Sequence, residues 1–250
     1  MAVLWVFANS RGCKKLKGLA RSKPVLLGSY DLSSMNFHLS VLPRATQKAV
    51  RYCSEQPWLK TSQWYLAGGT ALALQVGHRA SYDLDFFTQE KDFNANVLVE
   101  RFPKDVWATD FIREGTLYGK LLGAKVSFIS NPQFIPHEPY EWYGSIRMLI
   151  PKNIGVMKIT AISERGRKRD FVDLYWLCRH IEKLLWFLKQ LPDQYPSVAH
   201  DYHHIIKALT YFTDAEDDPA PRLNFHANWR SVKKFFEEET IRVARELLRL

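Results

Sequence analysis

Residues 65–88 read YLAGGTALALQVGHRASYDLDFFT, and this stretch decides what the rest of the chain builds. Gly68, Gly69 and Thr70 form a small-residue turn ahead of a short apolar segment that is typical of a helix. Glycines allow the backbone to approach a ligand closely, and the Thr70 hydroxyl at the expected helix start can cap the helix or contact a phosphate. Because the free N–H groups of a helix start bind anions, this turn predicts a phosphate cradle.

Two aspartates close the same stretch, at the place where a strand is expected. Side chains alternate between the faces of a strand, so Asp83 and Asp85 point the same way while the apolar residues beside them point into the core. Two carboxylates on one face repel each other unless a cation neutralises them, and Mg²⁺ prefers hard oxygen ligands together with substrate phosphates. With the cationic pair His78 and Arg79 nearby, the stretch predicts a phosphoryl or nucleotidyl transfer site.

Each of these features also has a simpler interpretation. A Gly-Gly pair is commonly only a turn, and two aspartates separated by one residue are commonly the solvated edge of a strand. Their order within one strand, turn, helix, turn and strand unit favours the catalytic interpretation, because it brings an anion cradle, two cations and two carboxylates into one short segment.

The string GGTALAL..GHR.S.DLDFF resembles the AbiEii/AbiGii toxin group of the nucleotidyltransferase superfamily, which has the fold core of DNA polymerase β. Lys158 and Ala161 look like the K..A motif that this group carries downstream, and residues 169–174, RDFVDL, look like its RD..DL motif. The resemblance covers residues 64–177. Its first block is highly specific and its second is moderately so.

The resemblance implies an α+β fold, with a mixed sheet flanked by helices and a helical C-terminal part that completes the active site. It implies an enzyme that uses Mg²⁺ or Mn²⁺ to move a nucleoside monophosphate from an NTP to an acceptor, with RNA such as tRNA as the expected acceptor. The biological role implied is that of a toxin in a toxin–antitoxin or phage-defence pair, with an antitoxin protein or a DNA-binding regulator as partner. Asp83 and Asp85 are the implied metal ligands, and the implied nucleotide-binding residues are Gly68, Gly69, Thr70, His78, Arg79, Ser81 and Lys158.

The downstream motifs have interpretations of their own. Lys158 lies on or beside the apolar face of a predicted helix, where it either extends to solvent or binds the triphosphate. Asp170 lies at a helix start, where the helix dipole favours an acid, so capping and catalysis are both open. Asp173, one turn on, can pair with Lys158 or Arg169, or act as the base that prepares an acceptor hydroxyl. The resemblance implies that Lys158 and Asp173 belong to the active site.

A third carboxylate is expected from two-metal chemistry, since such sites share their ligands among three acids. The resemblance implies an aspartate on the strand predicted at residues 125–130, as the family's classical relatives have. This strand reads KVSFIS, and Ser127 occupies the position that best matches the aspartate but has no anionic side chain. Asp110 or Glu114 on the neighbouring strand could substitute, or they are exposed charges at a strand end. A mechanism with one metal held by Asp83 and Asp85 is the alternative.

The composition bounds the remaining possibilities. The chain has 250 residues, a net charge of +9 and 46% hydrophobic residues, values typical of a folded globular protein with acidic partners such as nucleic acid. Residues 1–34 contain six basic residues and one acidic residue, so +5 of the net charge of +9 lies there. This segment is a basic arm for RNA, a poorly ordered extension, or translated upstream sequence with Met35 as the natural start. Three isolated cysteines indicate a reducing compartment, and no export or membrane segment is recognised, so a cytoplasmic location is expected.

We predict a nucleotidyltransferase core at residues 35–150 and a helical domain at residues 151–250. Within the core, residues 58–60 and 132–143 are predicted to lack helix and strand, and strands are predicted near residues 110–114, 116–122 and 125–130. In the second part, residues 181–191, 203–212 and 232–248 are predicted helices, with a loop at residues 214–218. Arg165, Arg167 and Lys168 contact RNA phosphates or belong to a solvated loop.

Two other functions are compatible with the sequence. The first is nucleotidyl transfer to a small molecule or a protein, for which no acceptor pocket can be recognised. The second is a catalytically degenerate fold that binds NTP or RNA, which the missing third carboxylate suggests. The identity of the labelled product separates the first from RNA transfer, and nucleotide binding without turnover would identify the second.

Overall fold

A computed structural model describes residues 36–137 and 139–248 of the chain. The interpretations given above for residues 1–34 and for a start at Met35 lie outside the described residues. No helix in the described part of the chain has the length and hydropathy that crossing a membrane requires.

A mixed sheet of seven strands forms the centre of the first part of the chain, in the order β3-β4-β5-β2-β1-β7-β6. The pairs β2–β5 and β1–β7 are parallel, and the remaining neighbours are antiparallel. The strands are β1 (Tyr65–Ala67), β2 (Leu84–Thr88), β3 (Trp107–Arg113), β4 (Thr116–Leu121), β5 (Ala124–Ser130), β6 (Glu141–Tyr143) and β7 (Ile146–Met148).

Among the described residues, α-helices both accompany the sheet and follow it. The first group is α1 (Arg44–Ser54), α2 (Pro57–Thr61), α3 (Gly68–Val76) and α4 (Ala95–Val99). The second group is α5 (Pro151–Arg165), α6 (Lys168–His180), α7 (Leu184–Lys189), α8 (Leu191–Gln194), α9 (Tyr202–Ala208), α10 (Thr213–Glu216) and α11 (Trp229–Leu247). The last strand ends at Met148 and α5 begins at Pro151, while the division into two domains at residue 150 stays a prediction.

Three of the predicted local structures differ from the observed ones. Residues 58–60 belong to α2, because Pro57 at its first position fixes a helical φ and Leu59 is buried. Part of the predicted loop at residues 132–143 is strand β6, which pairs with β7. The predicted loop at residues 214–218 contains the single turn of α10.

Aromatic side chains fill the core on one side of the central strands. Phe86 of β2 and Phe128 of β5 stack with ring centroids 5.1 Å apart, and Trp64 meets Phe128 edge-on at 5.0 Å. All three rings are buried, so the alternation along β2 turns its intervening residues, Asp85 and Phe87, to the opposite face. On that face the helices α5 and α6 pack against α3, and a cleft lies between sheet and helices.

Candidate active site

The phosphate cradle is the join between β1 and α3. Gly68 begins α3 with a φ of +69°, a conformation that favours glycine, so the turn requires this residue type. A Cβ added at Gly68 would lie 3.4 Å from Asp85 Oδ2, which means that the cradle backbone directly abuts the second aspartate. The residue before the helix, Ala67, has no side chain that could cap it. The first N–H groups of α3 are therefore placed to bind an anion beside a carboxylate.

Thr70 joins the cradle to the segment that carries the aspartates. Its hydroxyl donates to the carbonyl of Asp83 and lies 2.8 Å from Ser81 Oγ. The expectation that Thr70 caps the helix is wrong, since α3 begins two residues earlier, at Gly68. The hydroxyl instead fixes the position of Asp83 relative to the cradle.

Asp83 and Asp85 both line the cleft, in different environments. Asp83 precedes β2, and 38% of its side chain is exposed, with Arg169 NH1 at 3.5 Å from its Oδ2. Asp85 lies inside β2 and accepts a hydrogen bond of 2.5 Å from Ser127 Oγ. Burial raises the pKa of Asp85, and the charge of Asp83 adds to this rise, while the Ser127 hydrogen bond opposes it. The ionised form of Asp85 is destabilised by its surroundings and would be stabilised by a bound cation.

The candidates for a third metal-binding carboxylate can be compared by their positions in the structure. Ser127 lies directly across the strand pair from Asp85, so it occupies the matching position predicted for it. Asp110 lines the cleft on β3 but lies 3.8 Å from Lys120 with both side chains exposed, and Glu114 is absent from the cleft lining. Within residues 36–137 and 139–248, no group of three or more acidic, histidine or cysteine side chains is arranged to hold a metal.

The donor set nevertheless suits a magnesium-type cation. Asp83 and Asp85 supply hard anionic oxygens beside an anion cradle, and Mg²⁺ characteristically binds one or two carboxylates while water and substrate phosphates complete its shell. The raised pKa of Asp85 shows that its negative charge is poorly compensated by the protein itself. These two residues would hold the ion, and the fit is to one cation bound jointly by protein and nucleotide.

Behind the cradle lies a buried network of charges centred on Asp173. Its Oδ1 is 2.5 Å from Arg79 Nε and 2.7 Å from His78 Nε2, and its Oδ2 is 2.8 Å from Arg79 NH2 and 2.7 Å from Lys158 Nζ. Asp173 is fully buried and does not line the cleft. Burial would raise its pKa, but the charges of Arg79 and Lys158 hold the pKa well below its ordinary value. Asp173 therefore has the contacts of a positioning residue, including the pairing with Lys158 left open above.

The second acid of the motif, Asp170, extends this network. Its Oδ1 lies 2.6 Å from Lys158 Nζ, and Arg165 Nε lies 3.4 Å from its Oδ2. Burial acts to raise the pKa of Asp170, yet Lys158 and Arg165 lower it. Lys158 is thus held between two aspartates at the inner wall of the cleft, with 6% of its side chain exposed, and does not extend to solvent.

His78 takes part in the network but not in the cleft lining. Its burial lowers the pKa of the imidazole, although the hydrogen bond to Asp173 acts in the opposite direction. The neutral ring then donates from Nε2 to the carboxylate. The sequence grouped His78 with the nucleotide-binding residues, whereas the structure places it behind the cradle, where it supports Asp173.

The basic turn between α5 and α6 divides into different roles. Arg165 lines the cleft, and so does Arg169 at the entrance beside Asp83. Arg167 forms an ion pair of 3.2 Å with Asp218. Of the two alternatives for Lys168, a solvated loop is wrong because Lys168 begins α6, and contact with RNA phosphates is disfavoured because its ammonium is largely buried and donates to the carbonyls of Glu216 and Asp218.

The cleft has a volume of about 860 Å³, within the range of sites for small molecules and cofactors. Its far wall consists of residues from α8, α9 and their connection, which sequence reasoning did not assign to the site. They lie more than 100 residues beyond the aspartates, and only the fold brings them there. The polar or aromatic members of this wall are Tyr195, His200, Asp201 and His204.

Gly69 has a steric role that a substitution can test. A Cβ at this position would lie 2.3 Å from Arg79 NH2, and the guanidinium cannot move away without breaking its bonds to Asp173. We expect Gly69→Ala to lower the free energy of unfolding by about 1–3 kcal/mol and to weaken nucleotide binding, measured by urea denaturation and calorimetric titration. In the control, Gly123→Ala, the added Cβ meets nothing closer than 4.0 Å and the residue does not line the cleft, so nucleotide affinity should be unchanged even though the φ of +83° makes this substitution destabilising as well. Normal affinity in Gly69→Ala would contradict the crowding.

The fold and this cleft define a class of enzyme, the nucleotidyltransferases, and comparison with known proteins gives the family. Residues 59–114 and 125–246 match the family described as nucleotidyl transferase AbiEii toxin, type IV toxin–antitoxin system. The chain belongs to this AbiEii family, which confirms the resemblance seen in its motifs. A protein of Aquifex aeolicus (strain VF5) described as uncharacterised is 34% identical over 188 residues, covering 71% of this chain and 86% of its own length.

Two solved structures are similar in outline. JHP933 from Helicobacter pylori is 18% identical with a TM-score of 0.49, covering 83% of this chain and 95% of its own. MenT4, a nucleotidyltransferase toxin from Mycobacterium tuberculosis, is 13% identical with a TM-score of 0.49, covering 79% of this chain and 84% of its own.

Proposed function

We propose that this protein transfers a nucleoside monophosphate from an NTP to an RNA acceptor such as tRNA, releasing pyrophosphate, with Mg²⁺ or Mn²⁺ held by Asp83 and Asp85. The observation that carries the proposal is the proximity of the cradle to Asp85, whose Oδ2 would lie only 3.4 Å from a Cβ added at Gly68. An NTP is the substrate that needs both, since its phosphates bind backbone N–H groups and its bound cation binds carboxylates.

The residues of the cleft divide the work of transfer. The first N–H groups of α3 bind the phosphates, and Arg165 and Arg169 at the rim offset their negative charge. The bound cation supplies neutralisation of the charge that develops on the phosphate oxygens. In-line transfer of this kind depends on positioning and charge more than on covalent help from the protein.

Asp173 then acts at one remove from the substrate. It fixes Arg79 beneath Gly69 and holds Lys158 at the inner wall, so that the cradle keeps its shape. We assign it this positioning role in preference to that of general base, because each of its oxygens is already engaged by buried cations.

The family's connection with type IV toxin–antitoxin systems supports a role as the toxin of such a pair, with an antitoxin as partner. In this proposal the protein works in the cytoplasm, where NTPs and RNA meet, and its partner is an antitoxin protein or a DNA-binding regulator. A role in phage defence would follow from the same activity. The choice of RNA as acceptor is supported by the arginines at the cleft rim and by the net charge of residues 35–250, which is +4 once the +5 of residues 1–34 is subtracted from +9.

The test is incubation of the purified protein with Mg²⁺ or Mn²⁺, total RNA and each NTP labelled on its α-phosphate. We expect label in RNA from at least one NTP, with none when EDTA is present. Label confined to a small-molecule fraction or to protein would favour those acceptors instead. Nucleotide binding that persists in EDTA, with no label transferred to any fraction, would indicate the degenerate alternative.

A further inference from the structure

One row of side chains crosses the open face of the sheet from the carboxylate pair to the sheet edge. Asp85 lies directly opposite Ser127, Ser127 lies opposite Tyr118, and Tyr118 lies opposite Phe111. Residues directly opposite each other in neighbouring strands point to the same face, so all four side chains belong to the face that carries the cleft. Tyr118 and Phe111 also line this cleft.

The outer end of this row is an aromatic pair, with Phe111 exposed and Tyr118 half-buried. The rings of Phe111 and Tyr118 lie 4.5 Å apart, and Phe111 is 45% exposed. The guanidinium of Arg113 lies 5.4 Å from the centre of the Phe111 ring. Strand β3 is exposed at every residue after Trp107, so no helix or loop among the described residues covers Phe111, and Tyr118 on β4 is half-buried beside it. A core would bury a ring such as Phe111, and its exposure beside the cleft indicates a surface that binds a partner.

The surroundings of the aromatic pair are cationic. Lys120 and Lys125 project from the same face of β4 and β5, directly opposite each other, and both are exposed. The negative charge of Asp110 on the neighbouring strand is only 3.8 Å from Lys120, which leaves Lys125 and Arg113 to act on a ligand. Aromatic rings flanked by Lys and Arg are the surface that binds single-stranded nucleic acid, with bases stacked on the rings and phosphates near the cations.

The topology also determines the side from which an acceptor must approach. At Asp85, the neighbour on one side is Ala67, immediately before the cradle, and the neighbour on the other side is Ser127. In an in-line displacement the attacking oxygen lies opposite the leaving group. Since the cradle binds the phosphates that leave, the acceptor oxygen comes from the Ser127 side, over β5, β4 and β3.

We propose that Phe111 and Tyr118, with Arg113 and Lys125, form the acceptor platform, on which the single-stranded 3′ end of an RNA stacks as its terminal hydroxyl reaches the carboxylate pair. Neighbouring strands are about 4.8 Å apart, so the strand that carries Tyr118 lies about 10 Å, and the strand that carries Phe111 about 14 Å, from the strand that carries Asp85. The last nucleotides of an acceptor span this distance. The inference rests on the proposed function, whose RNA acceptor it locates.

Binding of a short single-stranded oligoribonucleotide, labelled with fluorescein at its 5′ end, tests the platform without NTP. In fluorescence anisotropy we expect the double variant Phe111→Ala/Tyr118→Ala to bind at least about tenfold more weakly than the wild-type protein. Phe111→Tyr and Tyr118→Phe should retain most of the affinity, because each keeps an aromatic face. The control is Ile112→Ala, whose side chain is 46% exposed on the opposite face of the same strand and should not affect binding.

Transfer assays with total RNA give the second measurement. The double variant should have a raised KM for RNA and an unchanged KM for NTP. The platform would be overturned if the double variant bound the oligoribonucleotide as tightly as the wild type, or if the wild type did not bind it. It would also be overturned if the wild type and the double variant transferred label equally well to a protein acceptor. Binding that depends on the two rings, in a protein that transfers no nucleotide to RNA, would sustain the platform and refute the proposed activity.

Discussion

Replacing Asp85 with asparagine is expected to lower the rate of nucleotidyl transfer by at least about 10³-fold, because it removes one of two charges that hold the cation. The substitution keeps the shape of the side chain and an oxygen that can accept the Ser127 hydrogen bond, so the strand pairing should survive. Transfer of an α-labelled NTP to RNA measures the effect. The matched control is Glu114→Gln on the turn between β3 and β4, outside the cleft lining, which should retain full activity.

The same substitution should not destabilise the fold at neutral pH. Burial raises the pKa of Asp85 above its ordinary value of 3.8, so ionisation is easier in the unfolded chain than in the folded one. The contribution of Asp85 to the free energy of unfolding therefore falls as pH rises from about 3.8 through the pKa of the folded protein, and this contribution stays lower at neutral pH. Asparagine lacks this cost, so without metal the melting temperature of Asp85→Asn should equal or exceed that of the wild type.

Addition of Mg²⁺ then gives a measurement independent of turnover. A ligand that binds only the folded state raises its stability, so Mg²⁺ with a non-hydrolysable NTP analogue should raise the melting temperature of the wild type and have a smaller effect on Asp85→Asn. An Asp85→Asn protein that keeps a tenth of wild-type activity, or that gains as much stability from Mg²⁺, would show that Asp85 is not a metal ligand.

The parts of the site that could be predicted from sequence are those set by local geometry. Asp83 and Asp85 are two residues apart, one just before β2 and one inside it, and the alternation of an extended chain predicts that both face the same side. The turns at Gly115 and Gly123 have φ of +66° and +83°, as hairpin turns at these positions require. The family resemblance added Lys158 to the predicted site. The spacing of residues in the sequence could not predict which acids pair with this lysine.

The parts that could not be predicted depend on contacts between distant segments. Asp173 is 94 residues from Arg79, and no pattern in either segment reveals that they meet. An acid beside an apolar stripe is compatible with a general base for as long as the cations that pair with it are unknown, and here those cations come from α5 and from the segment before β2. Strand β6 has three residues and is held by pairing with β7, and so short a segment has no periodicity that indicates a strand.

Removal of the Asp173 carboxylate is expected to cause the largest loss of stability of any single substitution in the site. Asp173→Ala leaves Arg79 and Lys158 buried without one of their shared partners, and breaking a buried ion pair in this way costs about 3–5 kcal/mol. Urea denaturation measures this loss. The control is Glu246→Gln, which removes an ion pair of 2.8 Å with Lys189 whose two side chains are more than half exposed, and it should cost less than about 1 kcal/mol.

Removal of the Asp173 carboxylate should also change the pH dependence of stability. The pKa values of Asp173 and Asp170 are lowered in the folded protein, so their contribution is fully present above the ordinary value of 3.8 and is lost as pH falls through the folded values. The wild type should therefore lose stability on acidification below about pH 4. Asp173→Asn, which has already lost the larger contribution, should show a shallower acid dependence.

The Asp173→Asn protein also separates the two roles considered for this residue. A positioning residue loses stability and nucleotide affinity together, because Arg79 beneath Gly69 and Lys158 at the inner wall lose their common anchor. If Asp173 were a general base, the Asp173→Asn protein would instead have a lower kcat alone. Its free energy of unfolding would be within about 1 kcal/mol of the wild type, and its KM for NTP would be unchanged. That second outcome would restore Asp173 to direct chemistry and would require the cleft to open as far as its carboxylate during turnover.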